Sequence, residues 1–336
     1  MVKNLVEYIW LDGNNNFRGK TRVIEIVNDI TIDDIPEWNY DGSSTYQATG
    51  DNSEVLIKPR RIYSYTPLGD FKRFLVICDT WLPNGQPHPS NTRHIASSIF
   101  QQKSELRPWF GIEQEFFFID PKTNLPLGFN SNGSAHPQGQ YYCSIGASNC
   151  FKRDIADACL KNCLISDLNV TGLNFEVAPG QCEIQLREEG IKAADDLLIM
   201  RYLITRTAEE FGVNVDFSAK PVHGDWNGSG CHVNFSTQPM RDENGLPCIM
   251  EAIDKLSHNH QTHIKNYGDD NHLRLTGLHE TSSIDDFSYG VANRGCSIRI
   301  PNETNINKRG YFEDRRPSSS MDPYKVLTLL FSTTSL

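Results

Sequence analysis

Over its first eighty or so residues the chain sets short apolar stretches between polar, glycine-bearing turns, the rhythm of a small, mainly β domain. Tyr8–Leu11 predicts a strand, Asp12-Gly-Asn-Asn-Asn-Phe17 a turn, and the alternation over Thr21–Val27 a second strand closing a hairpin. Val55–Lys58 and Phe74–Cys78 predict further strands, while Pro36–Thr45 is too rich in turn formers to suggest regular structure. Leu82–Ser90 is dense in Pro, Gly and Asn and marks a linker, so the expected domains are residues 3–85 and 92–336. Helical spacing follows in Asn91–Gln102 (Ile95, Ile99), with Asn91 or Thr92 placed to cap it. It recurs in Phe151–Leu164, in Lys192–Phe211 (Leu197, Arg201, Ile204, Ala208, Phe211) and in Cys248–Asn266. Pro121–Tyr141 reads as a long loop, a kind that is usually functional or mobile.

One strand breaks the apolar rule. Gly111–Ile119 reads Gly-Ile-Glu-Gln-Glu-Phe-Phe-Phe-Ile, and alternate side chains of a strand share a face. Glu113 and Glu115 therefore project together beside an aromatic run that belongs in a core. Like charges that close are unfavourable unless a cation lies between them. An exposed edge strand with solvated acids is the plain alternative, and the run after Glu115 argues against it.

Composition narrows the classes. The 336 residues carry a net charge of −10, with 38% hydrophobic and 22% charged residues, as expected of a globular protein. An acidic chain lacks the basic footprint of a nucleic-acid or anionic-membrane partner. No segment approaches membrane-spanning length, and the first ten residues are too short an apolar run for a signal peptide. Nine cysteines, none in a Cys-x-x-Cys pair, suggest reduced, mostly buried thiols in the cytoplasm.

Further candidates cluster later in the chain. Glu176 precedes a Pro-Gly turn and Glu183 alternates with apolar Ile184 and Leu186, so a hairpin would bring the two acids together. Asn227-Gly-Ser-Gly-Cys-His232 joins ligand-accommodating glycines to a strand histidine, a residue more often structural than ligating when it stands alone. Arg299 sits inward on an alternating stretch and needs an anion. Glu313 stands beside Arg315 and Arg316; for Arg309 and Arg316 a salt-bridged surface is expected. His258, His260 and His263 read as a solvated helix face. Five glutamates and a histidine suit two or three hard divalent ions, and inward arginines suit phosphoryl oxygens. With no Gly-x-x-x-x-Gly-Lys-Ser/Thr present, this points to metal-assisted phosphoryl transfer without a P-loop.

In this order the words Asp41-Gly-Ser-Ser-Thr45, Gly111-Ile-Glu-Gln-Glu115, Glu176 and Glu183, Asn227-Gly-Ser-Gly-Cys-His232, Arg274-Leu-Thr-Gly277, His279-Glu280-Thr281, Val291-Ala-Asn-Arg294, Ser297-Ile-Arg299-Ile-Pro301 and Tyr311-Phe-Glu313-Asp-Arg315-Arg316-Pro317 resemble glutamine synthetases of the short, eukaryotic type. The resemblance implies an α+β fold: a small N-terminal β-grasp domain, then a glutamine-synthetase/guanido-kinase-type catalytic domain whose curved antiparallel sheet is flanked by helices. It also implies ATP-dependent joining of ammonium to L-glutamate through γ-glutamyl phosphate, with two or three Mg²⁺ or Mn²⁺ ions per site. Pentameric rings or decamers with sites shared between subunits go with it.

Residue by residue, the resemblance assigns Glu113, His232 and Glu313 to one metal and Glu115, Glu176 and Glu183 to the other. Arg294 and Arg299 would stabilise the moving phosphoryl group, and Arg274 and Arg315 would bind carboxylate or phosphate. Asn227 and Gly228 would contact glutamate, while Asn234, Ser236, Tyr311 and Arg294 would contact nucleotide. Asp41, from the adjacent subunit, would bind ammonium and help deprotonate it, and Glu280 would sit on a flap shielding the acyl phosphate. The chain opens almost at the β domain without that family's leading helix, and it has Leu186-Arg-Glu-Glu-Gly190 where a Gly-Pro-Cys-like turn is usual. A γ-glutamyl ligase for another amine, or a non-catalytic paralogue, are the alternatives. Asp41 and Glu280 argue against the first and the complete carboxylate and arginine set against the second.

Overall fold

The computed structural model describes residues 2–26 and 29–335. Val27 and Leu336, the last residues of the expected second strand and of the expected catalytic domain, lie outside them. Two compact units form: residues 1–98 with 162–168, and residues 99–161 with 169–336.

In the first unit, β1 (Val2–Leu11) pairs antiparallel with β2 (Phe17–Ile26) and parallel with β5 (Phe71–Trp81). The Asp12 carboxylate closes the β1–β2 turn by accepting from the amides of Asn14 and Asn16 at 2.8 and 2.9 Å. Strands β3 (Trp38–Asp41) and β4 (Glu54–Leu68) complete the sheet, in the order β2-β1-β5-β4-β3 among the described residues. The expectation that Pro36–Thr45 lacks regular structure is overturned, since it forms β3 and then a 3₁₀ turn, Gly42–Thr45. Trp38 and Tyr40 alternate on β3 and pack their rings on Tyr8 and Trp10 of β1, which outweighs the turn-forming composition. The segment 82–90 folds back on this unit, where buried His88 bonds the Gln47 carbonyl at 2.7 Å.

The second unit is built on β6 (Trp109–Asp120). Its even positions Ile112, Gln114, Phe116 and Phe118 are fully buried, whereas Glu113 and Glu115 are half-buried on the other face. Beyond Glu115 both faces close, as the aromatic run predicts. The chain continues through β7 (Leu125–Pro126), α2 (Arg153–Ile165), β8 (Val170–Phe175), β9 (Gln181–Glu189), α3 (Ile191–Glu210), β10 (Asn214–Asp216) and β11 (Cys231–Ser236). Short α4 (Gln238–Arg241), α5 (Leu246–His258), α6 (His260–Ile264), β12 (Tyr289–Val291), β13 (Ile298–Ile300), α7 (Asn302–Asn307), β14 (Phe312–Asp314) and α8 (Pro323–Ser335) complete it. The sheet runs β12-β13-β14-β11-β6-β9-β8, with β7 and β10 also on β6. It is antiparallel except where β12 and β13 run parallel. Helix α3 is buried along most of its length, and no helix among the described residues is long and apolar enough to cross a membrane.

Three helix readings need correction. In α1 (Thr92–Gln102), capped by the Asn91 side chain, Ala96 and Phe100 point inward and Ile95 is exposed. Phe211 is also exposed, just past the end of α3. The stretch Cys248–Asn266 is two helices, broken at Asn259.

Candidate active site

Strand register assembles the chemistry. Glu115 faces Glu183 across β6–β9, and Glu183 faces Asn174 across β9–β8. One pair further along β6, Glu113 faces Gln185 on one side and His232 on the other. On β14, Glu313 lies opposite both Asn234 and Arg299. Directly opposed residues of antiparallel strands share a face, so residues from six strands meet on one side of the sheet. The tight Val177–Gly180 turn brings Glu176 back beside Glu183, as the hairpin reading expects.

Two triads result. Ligand atoms of Glu113, His232 and Glu313 all lie within 4.8 Å of one another, and so do those of Glu115, Glu176 and Glu183. His232 Nδ1 is 3.5 Å from both Glu113 Oε2 and Glu313 Oε1. Oxygen-rich donors at such spacing fit ions of Mg²⁺ or Mn²⁺ type, whose bonds of about 2.1 Å span donors about 4 Å apart. The two triads differ in their neighbours. Both oxygens of buried Glu313 meet guanidinium groups: Arg315 Nη1 donates to Oε1 at 2.7 Å and Arg299 Nε to Oε2. The charges nearest Glu176 and Glu183 are instead other carboxylates.

Titration follows that difference. Burial raises the Glu113 carboxyl, but hydrogen bonds from His232 and Asn234 and the nearby Arg299 charge outweigh it and hold the group at about 2. Burial, then the Glu115 charge, pushes Glu176 up to about 8. Burial, then Glu113, Glu115 and Glu176, pushes Glu183 up to about 9. Three clustered carboxylates cannot all ionise near neutrality without a cation, so this cluster could hold a metal ion.

These groups line a pocket of about 400 Å³ that also takes in Asn227, Gly228, Arg274, Glu280, Arg294 and Arg299. Arg274 is buried, and its guanidinium donates to the carbonyls of Arg315, Arg316 and Pro317, so much of its donor capacity braces the chain before α8. Burial lowers it to about 10. Arg294 pairs with Glu280 at 3.7 Å, and Arg315 Nη2 donates to the Glu280 carbonyl at 3.3 Å. His279 and Glu280 both adopt left-handed backbone, with φ of 53° and 59°, a conformation that non-glycine residues rarely take. Next to this pocket a second one, of about 390 Å³, is lined by Asn234, Ser236 and Tyr311 together with Trp109, Arg187 and Arg241. Ser236 Oγ accepts from Arg241 at 2.8 Å, and Asn234 Nδ2 donates to Glu113 Oε1 at 2.8 Å. Gly111 stands opposite Asn234, where a Cβ would come within 3.2 Å of the Asn234 Cβ. Asp41 belongs to the first unit; it is exposed and caps the 3₁₀ turn, accepting from Ser43 N at 3.0 Å and Ser43 Oγ at 2.6 Å. Those hydrogen bonds lower its pKa.

Two surface readings fail. Arg316 is completely buried, bonded to both Asp314 oxygens at 2.8 and 2.7 Å and to His260 Nδ1 at 3.0 Å. His260 and His263 are buried with it; His263 joins Tyr267 OH, which donates to Asp314 at 2.6 Å. Only His258 of the three is solvated, because the break at Asn259 turns α6 inward. Sequence reasoning also missed Gln138, which accepts from the Asn227 amide at 2.9 Å and meets His279 at 3.1 Å.

The family profile described as glutamine synthetase, catalytic domain, matches residues 90–264. A putative glutamine synthetase of Acanthamoeba polyphaga mimivirus is 49% identical over 333 residues, covering 98% of this chain and 94% of the relative. The chain belongs to the glutamine synthetase family. Other family members agree: a chloroplastic glutamine synthetase of Daucus carota is 49% identical over 99% of this chain and 78% of its own length. The glutamine synthetase of Tuber borchii is 47% identical over 98% of this chain and 91% of its own. The fold is that of the glutamine synthetases as well. A cryo-EM structure of Plasmodium falciparum glutamine synthetase superposes with a TM-score of 0.79 at 19% identity, covering 99% of this chain and 71% of that one.

Proposed function

We propose that this chain is a glutamate–ammonia ligase, joining ammonium to L-glutamate with cleavage of ATP. The observation that carries the reading is the paired triads, Glu113/His232/Glu313 and Glu115/Glu176/Glu183, which, Glu313 excepted, line one pocket with Arg299 and Arg315. The glutamate γ-carboxylate attacks the terminal phosphorus of ATP, ADP leaves, and ammonia displaces phosphate from the resulting γ-glutamyl phosphate. The two triads would hold Mg²⁺ or Mn²⁺, which when bound would neutralise the phosphate oxygens.

The remaining work falls to the chain's own groups. Asn227 and Gly228 hold the amino-acid substrate, with Gln138 fixing the Asn227 amide. Arg274 and Arg315 present positive charge to its carboxylate or to phosphate. Arg299 and Arg294 stabilise charge on the transferring phosphoryl group; fixed cations in a closed site do so without reorganisation. Asn234, Ser236 and Tyr311 line the second pocket and would contact the nucleotide there. Asp41 keeps a low pKa through the Ser43 and Ser44 hydrogen bonds, so it is an anion able to bind ammonium and to hold it while a proton is lost. Glu280, at the tip of a strained turn tied to Arg294, closes over the acyl phosphate and keeps water away. Asp41 reaches its site from an adjacent subunit of a ring-shaped homo-oligomer, a pentamer or stacked decamer. The nine free thiols suit the reducing cytoplasm.

The testing experiment omits one component at a time from purified enzyme with ATP, glutamate, ammonium and Mg²⁺. Phosphate and glutamine should appear together only in the complete mixture. Turnover without ammonium but with another amine would overturn the substrate assignment.

A further inference from the structure

Four of the five metal-type glutamates share a feature that neither the charge pattern nor the motif words single out: each is held at one oxygen by a side-chain carboxamide. Asn174 Nδ2 donates to Glu176 Oε1 at 2.8 Å and Gln185 Nε2 to Glu183 Oε1 at 2.6 Å. Gln181 Nε2 donates to Glu115 Oε2 at 3.3 Å and Asn234 Nδ2 to Glu113 Oε1 at 2.8 Å. The sheet supplies these partners by two routes. Asn174 and Gln185 stand two residues from their acids along the chain. Gln181 and Asn234 reach diagonally across a strand pair, two residues along from the direct partners Glu183 and His232.

The donor type matters physically. An arginine or lysine would orient a carboxylate equally well but cancel its charge, as Arg299 and Arg315 do at Glu313. A carboxamide donates a hydrogen bond while remaining neutral, so it adds no cancelling charge to the acid it holds and leaves that acid's other oxygen clear of the bond. The short Gln185–Glu183 contact and the Asn174–Glu176 contact also fix the two carboxyl groups side by side when no ion is present.

We propose that Asn174, Gln181, Gln185 and Asn234 are positioning residues for the metal carboxylates, each fixing one glutamate rotamer without neutralising it. For Asn234 this places the side chain's main role at Glu113. The proposal rests on the metal-site reading above.

The test uses Mn²⁺ titration of the full-length protein, with free Mn²⁺ read by electron paramagnetic resonance. Glu183→Ala identifies the binding class of the Glu115/Glu176/Glu183 cluster by its loss. Gln185→Met and Asn174→Leu, close in size but without the donor, should each weaken that class about tenfold, the scale seen when partners of metal ligands are removed. Asn234→Leu, which touches the other triad, should leave it unchanged. Wild-type affinity in both Gln185→Met and Asn174→Leu, or an equal loss in Asn234→Leu, would overturn the assignment. Gln181→Met carries the same expectation if either variant fails to melt cooperatively. A wild-type protein that binds no Mn²⁺ overturns the metal reading itself, and the positioning roles with it.

Discussion

Glu115 on β6 stands directly opposite Glu183 on β9, two carboxylates in register on one face of an antiparallel pair. Like charges in that position destabilise a sheet, and Glu176 adds a third. The fold thus carries a local electrostatic penalty at the point where its chemistry is expected.

That penalty has a pH signature. Glu176 and Glu183 titrate near 8 and 9 in the folded protein, against an ordinary 4.5. Between about 4.5 and 9 the folded state therefore binds more protons than the unfolded one, and stability falls as pH rises. Glu113, held near 2, works in the opposite sense and only below about 4.5. The metal-free protein should melt at progressively lower temperature from pH 5 to pH 9, and saturating Mn²⁺ should flatten the profile. Calorimetry with and without Mn²⁺ reads both; a metal-free profile that rises over this range would contradict the charge cluster.

The same repulsion makes Glu183→Gln informative. Removing one of three crowded charges should raise the melting temperature of the metal-free protein at pH 8 and weaken Mn²⁺ binding by at least about tenfold. Glutamine formation should fall with it. Higher stability together with lower activity distinguishes a metal ligand from a residue that merely packs.

The buried pair behind β14 predicts a stability effect of another kind. Asp314→Asn leaves the Arg316 guanidinium buried without its anion, and breaking such a pair costs about 3–5 kcal/mol. Replacing both residues, Asp314→Asn with Arg316→Met, should recover much of that loss. Urea denaturation of the single and double variants measures the difference.

Asp41→Ala should change stability little, because the residue is exposed and closes one short turn. Glutamine formation should nevertheless collapse while ATP binding persists. Mixing Asp41→Ala with Glu115→Ala subunits under exchange should restore part of the activity if sites are built between subunits; absence of rescue after demonstrated exchange would place Asp41 elsewhere.

What could be read in advance follows from the range of each signal. Glu113 and Glu115 declare a shared face because strand alternation is local, and the aromatic run after them sets which part of β6 is covered on both faces. The hairpin that joins Glu176 to Glu183 is equally local. The carboxamides are not legible in this way: Gln181 and Asn234 find their acids only through the register of β9 and β11 on β6, set by segments 66 and 121 residues apart. Arg316, His260 and His263 were misplaced for a related reason. Polar residues read as surface unless their partners are known, and Asp314 and Tyr267 are brought to them by tertiary packing. At Trp38–Asp41, ring packing on Tyr8 and Trp10 overrode a turn-forming composition.

The most direct test of the account is the fate of the glutamate oxygen. With L-glutamate labelled with ¹⁸O in its γ-carboxylate, attack on ATP followed by displacement by ammonia transfers one labelled oxygen into the released phosphate. Mass spectrometry of the phosphate should therefore show one ¹⁸O atom for each glutamine formed. Unlabelled phosphate accompanying stoichiometric glutamine would contradict the acyl-phosphate route and the reading of the site that rests on it.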